Sequence, residues 1–189
     1  LTVGTDCSVG KKYTALAIEK AMKDHGMNAS FKATGQTGVL IAESGIAIDA
    51  IVSDFISGAV EWLSPNNADD HWDIIEGQGS LFHPSFAGVS LGLLHGSQPD
   101  KFIVCHEPTR SNMRGVENKL PDISEVISKT SELGKLTNPN IECVGIALNT
   151  SNMSNGSEDL KKEISDKYSI PCLDPLKDDL SEFIKLINK

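Results

Sequence analysis

Gly4-Thr5-Asp6-Cys7-Ser8-Val9-Gly10-Lys11-Lys12-Tyr13-Thr14 is the stretch on which the fold turns. It follows a short apolar run, Leu1-Thr2-Val3, and leads into residues 14–25, where Leu16, Ala17, Ala21 and Met22 recur at helical spacing. A glycine-rich loop between a strand and a helix is where a phosphate-binding loop sits. Its glycines let the backbone curl until successive N–H groups face one anion. The following helix adds the partial positive charge of its N-terminus. Lys11 adds a full charge. The candidate phosphate or cofactor site is therefore Gly4, Thr5, Asp6, Cys7, Ser8, Val9, Gly10, Lys11 and Lys12. Two features depart from the common GxxxxGK[ST] pattern. Five residues, not four, separate Gly4 from Gly10, and Lys12 stands where a Ser or Thr usually ligates Mg²⁺. Either Mg²⁺ is held in another way or the phosphate ligand does not need it.

Beyond the loop, short β-branched runs alternate with helical patterns, the signature of an α/β chain with a mainly parallel central sheet. Together with the loop, this predicts a three-layer P-loop NTPase-like fold. Strands are expected over 1–3, 29–33, 72–76, 101–106, 141–148 and 171–173. Helices are expected over 14–25, 48–63, 86–95, 122–136, 158–168 and 178–188. Gly26 is placed to end the first helix, and Ser64-Pro65 to stop the second. The near-continuous apolar run 141–148 reads as a strand buried on both faces. The 189 residues suit a single P-loop α/β domain. Because only three residues precede the loop, the first strand is expected to begin upstream.

Composition excludes several classes. Lys and Arg number 17 against 26 Asp and Glu, a net charge of −9, so no basic face for nucleic acid is expected. No apolar run reaches the roughly 18–20 residues that span a bilayer. The opening LTVGTD has neither the basic nor the apolar region of a secretory signal, and Cys7, Cys105, Cys143 and Cys172 form no CxxC pair. A reduced, cytoplasmic protein is expected, acting on a small molecule without nucleic acid or membrane and forming a homo-oligomer. The only two arginines, Arg110 and Arg114, lie four apart in one segment.

Two further segments carry candidate chemistry. Glu76 ends an expected strand, at the sheet edge where open α/β folds place their ligands, and is a candidate for catalysis or for Mg²⁺. Asp54 and Glu61 share one helical pattern. With Asp6 and Glu76, Asp54 could supply Mg²⁺ ligands, although it reads equally well as a helix-surface charge. Gly77, Gln78, Gly79 and Ser80 form a turn open to close approach by a ligand. His83 behind it is a candidate general base. The segment 105–114 emerges from a buried strand with His106, Glu107, Arg110 and Arg114. Arginine forks suit carboxylate or phosphate. Cys105 and His106, as strand neighbours, face opposite ways and cannot pair.

The loop GTDxxVGK, the turn Glu76-Gly77-Gln78-Gly79, Asn149 after the strand ending GIAL, and the step Ile170-Pro171 resemble dethiobiotin synthetase and its relatives. That resemblance implies the fold, a nucleotide-like ligand and adenine reading by Asn149. The strings GTDCSVGKKYTAL, ATGQTGVLIA, DFISGAVEWLSP, DHWDIIEGQGSLFHPSFAGVSLGLLHGSQPD and CHEPTR span nearly the whole chain. They resemble the P-loop domain of the D-glutamate N-acetyltransferase family. This closer resemblance implies an upstream Rossmann-like domain and transfer of an acetyl group from acetyl-CoA to the amine of D-glutamate. On that reading Arg110 and Arg114 position the carboxylates and His83 or His106 removes the amine proton. Backbone N–H groups over Gly77–Ser80 stabilise the oxyanion. Two alternatives stay open. One is an ATP- and Mg²⁺-dependent ligase that activates a carboxylate. The other is a nucleotide-binding module without turnover.

Overall fold

A computed structural model describes residues 1–188. The elements run β1 (Thr2–Gly4), α1 (Lys11–Asp24), β2 (Asn28–Lys32), α2 (Gln36–Ala42), α3 (Ile56–Leu63), β3 (His71–Ile75), α4 (Ala87–Ser97), β4 (Lys101–His106), α5 (Ile123–Gly134), β5 (Glu142–Leu148), α6 (Ser157–Tyr168), β6 (Cys172–Leu173) and α7 (Ser181–Ile187). Every ladder between these strands is parallel. One sheet has the order β1-β4-β5-β6, and β2 pairs with β3 in a second. The turn after the carboxyl end of β3 meets the start of β1, where the Gly77 N–H donates to Thr2 Oγ1 at 2.9 Å.

Strand alternation builds the three layers. In β4, Phe102 and Val104 face one way and pack with Val126, Ile146, Leu148 and Ile164 under α5 and α6. Ile103 and Cys105 face the other way and pack with Ala15, Ile18 and Met22 of α1 and Phe183, Ile184 and Ile187 of α7. A third cluster joins Ile48, Ile56, Val60, Ile75 and Leu93, seating α3 on α4. Among the described residues no helix is long and apolar enough to cross a membrane.

Three expectations need correction. The segment 48–63 is not one helix: it breaks into 3₁₀ turns at Ile48–Ala50 and Ser53–Phe55, followed by α3. Ile51 and Val52 between them have ψ of 140° and 133°, the extended backbone that β-branched pairs favour. The break lets Ile48 bury completely while its N–H donates to Thr34 O at 2.9 Å. α1 starts three residues before the expected Thr14, because Gly10 at φ 110° turns the loop directly into the helix. α2 carries no apolar periodicity to betray it, and only Gly38 of its residues is buried. The other elements fall within a few residues of expectation. α5 is started by a capping box in which Asp122 accepts from Ser124 N and Glu125 reaches back to Asp122 N.

Candidate functional site

The loop from β1 to α1 wraps a cavity of about 540 Å³. Cys7, Ser8, Gly10, Lys11 and Lys12 line one side, Glu76, Gly77, Gln78 and Gly79 a second, and Gly35–Thr37 with Asp49 a third. Ser8 at φ 55° and Gly10 at φ 110° make the curl that aims the loop inward. Lys11 is 6% exposed, and its Nζ donates to Asp6 O at 2.7 Å. Burial pushes the Lys11 pKa down, the cost of holding a cation ready for an anion. Gly4 lies beneath it. A Cβ there would meet Val9 at 2.8 Å and Lys11 Nζ at 3.2 Å.

Next to this cavity, a mostly apolar slot of about 250 Å³ is formed by Val9, Gly10, Tyr13, Leu148, Asn149, Pro175 and Leu176, among others. Asn149 borders both spaces. Its Oδ1 accepts from Ser151 N and Oγ, which leaves its amide N–H₂ unengaged among the described residues.

The two arginines brace the loop instead of standing free for substrate. Arg110 Nη1 donates to Asp6 Oδ2 at 2.7 Å and Cys7 O at 2.9 Å, and Nη2 reaches Ser8 O at 3.4 Å. Arg114 donates its backbone N–H to Asp6 Oδ2 at 2.7 Å and Nη1 to Ser8 Oγ at 2.8 Å, with the rest of its guanidinium exposed. Burial alone would raise the pKa of Asp6. The donors from Arg114, Arg110 and Cys7 outweigh it and hold the carboxyl below its ordinary value. Arg110 also borders a second cavity, about 420 Å³, with His106, Lys167 and Tyr168. His106 Nδ1 lies 3.0 Å from Thr5 Oγ1. Burial lowers the His106 pKa, favouring the neutral ring.

His83 does not share either cavity. It is 2% exposed, its Nε2 lies 3.0 Å from Arg114 O and its Nδ1 accepts from Ser85 N at 3.2 Å, so the ring has no nitrogen free to take a proton. The expected oxyanion donors are also reduced. The Gly77 N–H is spent on Thr2, and of the turn Gly77–Ser80, Ser80 does not line the phosphate cavity. The cysteines are not activated: burial raises the pKa of Cys7, and pushes Cys105 and Cys143 to about 11 and Cys172 to about 12.

The residues expected to hold Mg²⁺ are largely committed elsewhere, and exposed Asp49 is the one carboxylate lining the cavity with no side-chain hydrogen bond or ion pair among the described residues. Asp54 is exposed on a 3₁₀ turn outside the lining of the phosphate cavity, which removes it from the expected ligand set. Glu76 is buried, and its Oε2 accepts the N–H groups of Thr34 and Gly35 at 3.0 and 3.1 Å. Asp6 is saturated by Arg110, Arg114 and Cys7. Thr14, the nearest helix hydroxyl, is buried against Cys105. Among the described residues the one grouping of three ligand atoms within 4.8 Å is Asp6, Cys7 and His83. Mg²⁺ requires an octahedron of oxygens, and the Arg110 cation already occupies the carboxylate of that group.

Sequence reasoning missed Tyr13, Pro175 and Leu176 in the slot, Lys167 and Tyr168 in the second cavity, and Gly35–Thr37. Only the last had a local signal, the glycine-flanked Thr34-Gly35-Gln36-Thr37-Gly38.

The family DUF1611, described as a domain of unknown function and a P-loop domain, matches residues 1–184. A protein of Pseudoalteromonas sp named D-glutamate N-acetyltransferase is 54% identical over 187 residues, covering 97% of this chain and 56% of that protein. One of the same name from Tritonibacter scottomollicae is 48% identical over 179 residues, covering 93% and 53%. The chain thus spans about half the length of the curated relatives it matches. The crystal structure of a DUF1611 family protein from Anabaena variabilis superposes with a TM-score of 0.92 at 31% identity, covering 99% of this chain and 56% of that one. Cobyrinic acid a,c-diamide synthase from Mycobacterium smegmatis, with bound ADP and magnesium, superposes with a TM-score of 0.53 at 15% identity over 99% and 92%, a likeness of fold.

Proposed function

The chain belongs to the DUF1611 family, and on that premise we propose that it is the P-loop part of an enzyme that transfers an acetyl group from acetyl-CoA to the amine of D-glutamate. The observation that carries this reading is the phosphate cavity opening beside an apolar slot at Asn149, in a chain whose curated relatives bear that activity in their name. Coenzyme A presents an adenine ring followed by phosphates, and the slot and loop match that order. Lys11, the loop N–H groups and the N-terminus of α1 hold the phosphates. Asn149 reads the ring edge.

The acceptor amino acid is assigned to the cavity shared by His106, Arg110, Lys167 and Tyr168. With Nδ1–H given to the Thr5 hydroxyl, neutral His106 keeps Nε2 as an acceptor for the amine proton. The amine lone pair then forms the C–N bond at the thioester carbon. The C–S bond breaks, and coenzyme A leaves as a thiolate that takes up a proton. The test is thiol release from acetyl-CoA by the purified protein, with D-glutamate and with L-glutamate as the control. D-glutamate-dependent release is expected. ADP formation from ATP without thiol release would replace this reading with the carboxylate-activating ligase.

A further inference from the structure

The loop has every phosphate-holding part of its class except the hydroxyl that brings in the metal, and a lysine stands there instead. We propose that the Lys12 ammonium takes the place of Mg²⁺ in this loop, so that the phosphates are bound without a divalent cation. This rests on reading the loop as a phosphate site. It deepens that reading by specifying a carrier of phosphates, held but not cleaved.

Lys12 lies in the first turn of α1, directly after Lys11, and lines the phosphate cavity with Lys11 and Glu76. It is half-buried. Among the described residues no carboxylate lies within ion-pair distance of its Nζ; the Tyr13 ring is 4.8 Å away, and Glu76 is near enough for the ammonium to oppose the burial that raises the Glu76 pKa. Its three N–H donors are therefore free for an anion. Lys11 beside it is more than nine-tenths buried, with Nζ bound to a single backbone carbonyl. Two of the three carboxylates nearest the loop are turned to other work, which leaves exposed Asp49 at the cavity rim. Asp6 neutralises Arg110, and Glu76 receives the N–H groups of Thr34 and Gly35 at the start of α2. A divalent ion placed here would face an ammonium at the position of its usual ligand, and like charges at such range repel.

The chemistry follows from the charge. Phosphoryl transfer depends on metal ions to neutralise charge that builds up on the transferred group. Holding a diphosphate whose P–O bonds stay intact needs only fixed cations and N–H groups. A loop with two adjacent lysines and no hydroxyl at the metal position is built for the second task. Coenzyme A is such a ligand, and its reacting atom is far from its phosphates.

The test is titration calorimetry of coenzyme A and of ATP into the full chain, in Mg²⁺ and in EDTA. Wild-type affinity for coenzyme A is expected to be the same in both buffers within about twofold. Lys12→Met is expected to lose about tenfold or more, unrestored by Mg²⁺, since a charge-assisted hydrogen bond disappears. Lys12→Arg is expected to stay within a few-fold of wild type. Circular dichroism verifies that each variant is folded. A wild-type affinity that collapses in EDTA, or a Lys12→Met variant that binds like wild type, overturns the inference while leaving the phosphate site standing. A folded wild type that binds neither ligand in either buffer overturns the phosphate-site reading and this inference with it.

Discussion

Replacing Arg110 with methionine removes the brace of the phosphate loop while keeping the side chain's bulk. The carboxylate of Asp6 is fully buried, and Arg110 reaches it at 2.7 Å while also holding the Cys7 and Ser8 carbonyls. Deleting one partner of a buried ion pair costs about 3–5 kcal/mol. Two features reduce that here. Asp6 keeps the N–H groups of Cys7 and Arg114, and the Arg110 side chain is 23% exposed, so water takes over part of its role. The expected loss is about 2–3 kcal/mol at pH 7. The acid limb should move as well. A carboxyl whose folded pKa lies below its unfolded value stabilises the fold above that unfolded value, about 3.9, and loses the contribution as pH falls through the folded one. Without Arg110, burial gains the upper hand, the folded pKa of Asp6 rises, and acid unfolding begins at a higher pH. Urea unfolding at pH 7 and an acid titration, both followed by tryptophan fluorescence, read the two effects. A loss under about 0.5 kcal/mol, the range of a surface pair, with an unmoved acid midpoint would refute the account.

Gly77→Ala should be severely destabilising, by about 3 kcal/mol or more, because its Cβ would lie 1.6 Å from the Thr2 backbone oxygen, beside the Gly77 N–H to Thr2 Oγ1 bond that joins β1 to the turn after β3. A melting temperature near wild type would show that the two ladders are not pinned there. Asp122→Ala should cost about 1 kcal/mol through loss of the α5 capping box. Hydrogen bonds from Ser124, chiefly its side chain, hold Asp122 at about 2, so the difference between variant and wild type should shrink as pH falls from about 4 toward that value. A difference that is constant from pH 7 down to the acid transition would count against the cap.

Much of the architecture was legible because it follows from local rules. The run Lys101–His106 is apolar on both faces, and its bounds as a strand match expectation. The phosphate loop was legible because glycine, lysine and a following helix must be contiguous to cradle an anion. The segment 48–63 misled because its apolar stripe is real but serves two packings. Ile48 buries against Ile75 and Leu93 from a separate turn, and Ile56 and Val60 do so from α3. No periodicity distinguishes one helix from two pieces aimed at the same core.

The candidate site divides along the same line. Lys11, Lys12 and Glu76–Gly79 could be named from the chain alone, since each sits where a strand ends and a ligand edge begins, and Asn149 from the resemblance to dethiobiotin synthetase. The roles of Arg110, Arg114 and His83 could not. Their types suggested substrate carboxylates and a base. The fold instead spends the Arg110 guanidinium on Asp6 and the loop backbone, gives Asp6 the Arg114 main-chain N–H while one Arg114 nitrogen reaches Ser8 Oγ, all across more than a hundred residues of sequence, and spends His83 on Arg114 O and Ser85 N. By itself the sequence determined a parallel α/β fold with a glycine-lysine anion loop, because strand pattern and loop chemistry are short-range properties. Only the tertiary structure decided which charges stay free for a ligand, because a side chain's partner depends on what the fold brings beside it. In this protein that leaves Lys12 without an ion pair among the described residues and Asp6 neutralised.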